Sequence, residues 1–144
     1  MNAAGASSTL IDNCSSVDVI TSTSGLAALA PVWDRLVAQS GLTHPFVTHE
    51  WILTWWECFG SDAELCVLVV RADGEPIAIA PLMRTTERLY GKQVRCLRFL
   101  ANDHTPRCDV IVGSRPRDAY AAIWNFLMSE SPLWDVVVFV QLHR

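Results

Sequence analysis

The feature that most constrains this chain is an Asp-Gly pair, Asp73-Gly74, that separates two apolar stretches near its middle. Asp-Gly favours a two-residue turn between antiparallel strands. Residues 65–71 are rich in leucine and valine, and residues 75–83 predict the returning strand. Pro81 has no backbone N–H to donate, so we expect a bulge or a sheet edge at that position. The chain is therefore expected to fold around an antiparallel hairpin.

Helical patterns lie on both sides of this hairpin. Residues 48–59 start with a capping threonine and carry apolar residues at i, i+3, i+4 and i+7. Residues 116–129 begin with a proline, which suits the first turn of a helix. An earlier amphipathic pattern, capped by Ser24, covers residues 26–39, although Pro31 also fits a regular helix that starts just before it. We expect Tyr120, Ile123, Trp124 and Leu127 to form the apolar stripe of the last helix.

Short β-rich patterns complete the chain, and the last of them, 136–140, predicts a strand that is buried on both faces. The element order is β-α-α-β-β-β-(β)-α-β, an α/β fold in which helices cover a mixed sheet. We expect residues 1–16 to form a flexible tail and residues 17–144 to form one domain. The remaining predicted strands are 17–21, 94–101 and 108–112, with a polar turn segment at 85–93 and a loop at 102–107.

Charge and composition exclude several functions. The net charge of −4 and the lack of a basic stripe argue against nucleic-acid binding. No apolar run approaches the roughly 18 residues of a membrane span, and no basic secretory signal opens the chain, so a cytoplasmic location is expected. The five cysteines contain no C-x-x-C pair, and His44 and His49 do not share a helical face, so no metal site is predicted. Cys66 and Cys96 are expected to be buried.

The chain ends shortly after its last apolar run. A strand buried on both faces needs a layer on each side, and this sequence offers few helices to supply those layers. We therefore expect the fold to be incomplete at its C-terminus, or a homo-oligomer to cover the final strand.

Several blocks resemble the bacterial CelD-like and FemAB-like GNAT proteins. The resemblance covers residues 17–142, and its blocks are THPFVTHEW at 43–51, WWECFG at 55–60, the hairpin, 97–112 and 134–137. It implies a GNAT-like domain that forms the N-terminal half of a longer N-acyltransferase. The whole protein would move an acyl group from acyl-coenzyme A, a co-substrate and not a tightly bound cofactor, to an amine. The half alone would be inactive and would need the C-terminal half as its partner; the alternative is a non-catalytic GNAT-like binding module.

The densest polar cluster consists of Asn102, Asp103, His104 and Asp109. His104 could act as a general base with a carboxylate to orient it, and Asp109 is the second catalytic candidate. The first three residues, together with Trp51 beside the apolar stripe of its helix, are predicted to bind substrate. The alternatives are a hydrogen-bonded turn for the cluster and core packing for the tryptophan.

The sequence gives little support for a phosphate-binding turn. The glycines are dispersed, and the place expected for a glycine-rich turn before a helix holds one glycine, Gly113, followed by Pro116. Arg115 and Arg117 flank that proline and are the candidates for contacting the phosphates of coenzyme A. The alternative is that they are solvated loop arginines.

Overall fold

The computed structural model describes residues 15–130, 133–140 and 142. Among these residues no helix is long and apolar enough to cross a bilayer. A short 3₁₀ turn, Pro45–Val47, precedes the third helix. The helices are α1 (Thr23–Ala28), α2 (Ala30–Ser40), α3 (His49–Phe59) and α4 (Pro116–Ser129). The strands are β1 (Ser15–Ile20), β2 (Glu64–Leu65), β3 (Val67–Ala72), β4 (Glu75–Ala80), β5 (Leu82–Leu89), β6 (Lys92–Phe99), β7 (Ile111–Val112) and β8 (Val136–Val138).

The strands form two four-stranded sheets, which confirms the predicted α/β fold with mixed pairing. The first sheet has the order β1-β3-β4-β7 and is antiparallel throughout. The second has the order β2-β5-β6-β8, and β8 runs parallel to β6. Pro81 stands between β4 and β5, where the chain passes from one sheet to the other. The single returning strand predicted over 75–83, with a bulge or a sheet edge at Pro81, is thus two strands, and the missing proline donor accounts for the break.

The central hairpin has the predicted turn. Asp73 and Gly74 both have positive φ, 52° and 80°, as a two-residue hairpin turn of the primed type requires. The pairing of β3 with β4 shifts between Val70 and Arg71, so a bulge lies next to the turn.

The polar turn predicted over 85–93 is wrong. β5 continues to Leu89, β6 starts at Lys92, and only Tyr90 and Gly91 form the turn, again with positive φ. The outer part of β5 lies at the solvent surface, so its polar side chains belong to a strand. Glu87 accepts a hydrogen bond from Arg98 on β6 at 2.7 Å. The many polar side chains of this exposed strand segment therefore resemble a loop when only the sequence is considered.

The first helical region is divided in two. Ser22, and not Ser24, caps α1, since its hydroxyl accepts from the N–H of Gly25. Pro31 lies in the first turn of α2, so the alternative with a helix starting just before the proline is confirmed. Thr48 caps α3 as predicted, accepting from the N–H of Trp51 at 3.3 Å.

Two apolar clusters lie on opposite faces of the first sheet. Neighbouring residues of β3 alternate between them: Val67 and Val69 pack with α1, α2 and α3, whereas Leu68 and Val70 pack with α4. Because both faces are covered, β3 is buried almost along its whole length. The buried side chains of the helical cluster include Leu26, Trp33, Leu36, Ile52 and Trp55.

The apolar stripe predicted for α4 is only half correct. Ile123 and Leu127 pack on the sheet, together with Ala119 one turn earlier. Tyr120 and Trp124 are 53% and 62% exposed, because the i, i+4, i+8 row that faces the sheet starts at the alanine.

The prediction that the last strand is buried on both faces is also wrong. Within the described residues β8 pairs with β6 on one side only and stands at the edge of its sheet, and Val137 is 39% exposed. An exposed apolar surface therefore extends from α4 to β8.

Replacing Trp33 with phenylalanine tests the attachment of α2. The indole N–H of Trp33 donates to the carbonyl of Val47 at 2.7 Å inside the core. We expect Trp33→Phe to lower the free energy of unfolding by about 1–3 kcal/mol, because it leaves a buried carbonyl unpaired. Trp124→Phe, at the surface, should change it by less than about 0.5 kcal/mol. Urea unfolding measures both, and equal effects would contradict this assignment.

Candidate functional site

A cavity of about 920 Å³ is lined by residues of α4, β8 and the segment before β7. Ile123, Trp124 and Leu127 contribute from the helix, and Val137 contributes from the strand. The partial exposure of Trp124 and Val137 is explained by this cavity, since both lie on its wall. Two of the lining residues are acidic and none is basic. The cavity therefore combines an apolar wall with negative charge.

Asp109, one of the two acidic residues, forms a close pair with His44. The Nε2 atom of His44 lies 2.6 Å from Oδ2 of Asp109, and the two side chains are only 7% and 12% exposed. An ionised carboxylate can only accept hydrogen bonds, so Nε2 is the donor. The bond uses one of the two carboxylate oxygens, and Asp109 makes no other hydrogen bond within the described part of the chain.

Unpaired polar atoms gather around the ring of Phe46 beside this pair. Its centroid lies 5.8 Å from that of His44 and 4.9 Å from that of Trp51. Phe46 also lines a small cavity together with Arg107 and Asp109. His44 Nδ1, Trp51 Nε1 and Arg107 Nε are buried without a hydrogen-bond partner among the described residues. Unsatisfied buried polar atoms are rare in folded proteins and mark this region as a candidate for ligand contact.

The predicted catalytic candidates do not form a pair with each other. His104 lies in an exposed turn, where its backbone N–H donates to the side-chain oxygen of Asn102 at 3.0 Å. Thr105 closes the same turn by donating its N–H to the carbonyl of Asn102 at 2.9 Å. In the described residues the partner of Asp109 is His44 and not His104. These contacts match the alternative of a hydrogen-bonded turn for residues 102–105.

Asn102 and Asp103 line a different, smaller cavity of about 50 Å³. Val138 and Val140, from β8 and the residues after it, form another part of its wall. Trp51 lies apart from them, against Phe46 near the His44–Asp109 pair. The predicted substrate residues are therefore divided between two neighbourhoods, and Trp51 is linked to the His44–Asp109 pair through the ring of Phe46.

Arg115 is already engaged by carboxylates. Its guanidinium donates to Asp118 at 2.7 Å and to Asp73 at 3.0 Å, and these bonds raise the pKa of Arg115. Arg115 is the N-cap residue of α4, and its backbone lies in the left-handed region with a φ of 49°. Arg117 is exposed on the first turn of the same helix. A phosphate at this helix start would compete with two carboxylates for Arg115.

The buried cysteines are poor nucleophiles. Burial, followed by the neighbouring Asp109, raises the pKa of Cys108 to about 11. Burial and a hydrogen bond with Glu87 raise the pKa of Cys96 to about 11. Burial also raises the pKa of Cys66. Cys66 and Cys96 are both buried, as predicted. The thiol adjacent to Asp109 in the chain is therefore not an activated nucleophile.

The geometry of His44 and Asp109 was the part of the site that the sequence did not reveal. The two residues are 65 positions apart, and the local sequence around His44 bears only on metal binding, which it argues against. Among the described residues no group of three or more metal-binding side chains is found. A short-range sequence motif cannot reveal such a pair, because the contact between the two residues depends on tertiary packing.

Comparisons with known proteins show the fold. No protein-family profile matches the chain, and no curated protein is detectably similar to it. A solved structure of a ribosomal-protein-alanine N-acetyltransferase from Brucella melitensis biovar Abortus 2308 is similar, with a TM-score of 0.51 and 15% identity. The match covers 90% of this chain and 82% of that one.

Two further solved structures are similar at lower scores. A possible acetyltransferase from Clostridium difficile 630 matches with a TM-score of 0.49 and 11% identity, over 92% of this chain and 80% of that one. A GNAT family acetyltransferase from Staphylococcus aureus subsp. aureus USA300_TCH1516 matches with a TM-score of 0.48 and 11% identity, over 88% and 85%. The chain therefore shares the mixed α/β fold of the ribosomal-protein-alanine N-acetyltransferase.

The cysteine environments predict a graded thiol reactivity. Cys58 is exposed, whereas Cys66, Cys96 and Cys108 are buried with raised pKa values. In a Cys14→Ser background, we expect Ellman's reagent at pH 8 to titrate one thiol in the native protein and four after unfolding. Rapid native labelling of Cys108, identified by mass spectrometry, would show that the cavity wall next to Asp109 is more open than this structure describes.

Proposed function

We propose that this chain is the N-terminal half of a cytoplasmic N-acyltransferase that moves an acyl group from acyl-coenzyme A to an amine. The observation that carries the proposal is the apolar cavity between α4 and β8, with a carboxylate on its wall, in a GNAT fold. An acyl chain and its thioester are mostly apolar and would bury well against Ile123, Leu127 and Val137. The similarity to a ribosomal-protein-alanine N-acetyltransferase supports the reaction class.

The chemistry requires no covalent enzyme intermediate. The nitrogen of a neutral amine attacks the carbonyl carbon of the thioester, and a C–N bond forms. The C–S bond breaks, the sulfur leaves as a thiolate, and the proton removed from nitrogen by a general base ends on that thiolate. This direct route fits the unreactive cysteines, because the pKa of Cys108 is raised to about 11.

The residues predicted from the sequence have places in this proposal. Trp51 would wall the acceptor side near Asp109, while Asn102, Asp103 and His104 would contact the substrate from the loop after β6. Arg115 and Arg117 would lie at the phosphate end, at the start of the helix whose side lines the cavity.

The partner in this proposal covers the exposed apolar surface of α4 and β8. Tyr120 and Trp124 are exposed on the helix, and Val137 is partly exposed on the edge strand. A C-terminal half of the same polypeptide, or a second copy of this chain, would bury these residues. Their burial would also close the cavity, as a transferase needs in order to exclude water from its thioester.

A non-catalytic GNAT-like binding module is the second candidate. The observation that favours it concerns the start of α4, where the phosphates of coenzyme A would bind. Arg115 is bonded to two carboxylates, and a single glycine, Gly113, stands where several would be expected around a pyrophosphate.

Calorimetry with acyl-coenzyme A separates the two candidates. We expect octanoyl-coenzyme A to bind more tightly than acetyl-coenzyme A, since each buried methylene adds about 0.8 kcal/mol. The titration should be made on this chain and on a longer form encoded past Arg144, with release of free coenzyme A in the presence of an amine panel as the readout of transfer. Binding by neither form would refute the acyltransferase and favour the module.

A charge placed on the cavity wall provides a matched test. Trp124→Glu should weaken octanoyl-coenzyme A binding by about tenfold or more, because it brings a carboxylate to the acyl chain. Asn125→Glu is the control, since Asn125 lies on the same helix and lines a different cavity. Equal effects of the two variants would place the acyl chain elsewhere.

A further inference from the structure

We propose that Asp109, positioned by His44, binds the ammonium group of the acceptor amine. That the bound amine is an acyl acceptor rests on the proposed function, whereas the binding of an amine can be measured without acyl transfer. It specifies the substrate class of the cavity: a primary amine with an apolar body.

The charge of the cavity favours a cation. Its two charged wall residues, Asp109 and Asp135, are both acidic. Asp135 is neutralised, because the guanidinium of Arg95 donates to its Oδ1 at 3.1 Å and the backbone N–H of Arg95 donates to its Oδ2 at 2.8 Å. Asp109 makes no ion pair with an arginine or lysine in the described part of the chain, although Arg107 lines the small neighbouring cavity with it, and one oxygen of Asp109 is without a hydrogen bond. The carboxylate with spare capacity for a ligand is therefore Asp109.

The chemistry of His44 suits a positioning residue. Its Nε2 donates to Oδ2 of Asp109 at 2.6 Å and fixes the orientation of the carboxylate. An imidazole can donate this bond in its neutral form, without cancelling the negative charge, whereas the guanidinium of Arg95 always carries a charge that cancels that of Asp135. A carboxylate that is held, charged and mostly removed from water attracts an ammonium group more strongly than one in solvent.

The surroundings of Asp109 define the rest of the ligand. The wall next to it is apolar: Val110 follows it in the chain, Leu142 is bridged to Cys108, and both line the same cavity. An alkyl or aryl group attached to the ammonium would bury against these side chains. Anionic acceptors would be repelled by Asp109, and neutral alcohols would lack the charge-assisted bond to it.

The experiment compares n-hexylamine, which is an ammonium ion at pH 7, with 1-hexanol. We expect calorimetry to show saturable binding of hexylammonium and at least tenfold weaker binding of hexanol. The imidazole ¹⁵N resonances of His44 should shift with the amine and not with the alcohol. Equal binding of the two ligands, or no binding of the amine, would overturn the proposal without the use of any variant.

Variants then assign the roles. Asp109→Asn should weaken hexylammonium binding by about 10- to 100-fold, because a charge-assisted bond is lost. His44→Phe keeps an aromatic ring without a donor and should also weaken it, whereas His44→Gln retains a donor and should restore part of the affinity. Asp62→Asn, in an exposed turn, is the control and should have no effect. If Asp109→Asn binds like the unaltered protein, or if glutamine fails to restore what phenylalanine loses, the assignment is wrong.

The outcomes separate this inference from the proposed function. A protein that binds hexylammonium through Asp109 and neither binds nor consumes acyl-coenzyme A refutes the transferase and leaves the amine site in place. A protein that transfers acyl groups to hexylamine equally well after Asp109→Asn refutes the amine site and leaves the transferase in place.

Discussion

The rest of the structure depends on the backbone break at Pro81. Proline cannot donate a ladder hydrogen bond, and the returning strand of the central hairpin divides there into β4 and β5. The partner of this strand changes at the same point, since Leu82 pairs with Phe99 whereas Ile79 pairs with Ile111. The chain between the two partners leaves the sheet, and this excursion carries Arg107 and Asp109. The carboxylate on the cavity wall is thus a consequence of where one strand loses a donor. The carbonyl of Pro81 still accepts from Leu100 at 3.0 Å, which ties the start of the excursion to the break.

The second determinant is unequal covering of the sheets. Helices α1, α2 and α3 pack on one face of the first sheet, and α4 alone packs on the other. Since α4 presents Ile123 and Leu127 to the sheet, its flank with Trp124 is exposed. This flank and Val137 of the edge strand β8 line the cavity. Its apolar wall and its acidic residues come from different elements, so the same packing that leaves apolar surface exposed also brings a buried carboxylate to it.

Local signals in the sequence predicted much of the fold. The Asp73-Gly74 turn, the cap at Thr48 and the bounds of α4 depend on neighbouring residues, and all three are confirmed. Errors arose where exposure depends on tertiary packing. The polar half of β5 was assigned to a turn, and Trp124 was placed in the core although the helix turns it outward. The pairing of His44 with Asp109 had no local signal at all, whereas Asp109 itself was a candidate because it lies in a polar cluster.

The sequence distance within the pair has a consequence for folding. His44 precedes the helix α3, Asp109 follows the sheet excursion, and 65 positions separate them. Closing a loop of that length costs conformational entropy before any contact compensates for it, so such contacts tend to form after the local hairpins and helices. The pair also requires the first sheet, because β7, which follows Asp109, is held by pairing with β4. A collapsed intermediate with native helices would still lack the carboxylate in its oriented form. Ligand recognition at this point would then report on completion of the native topology, and a bound ligand would stabilise the late-forming contacts in preference to the early ones.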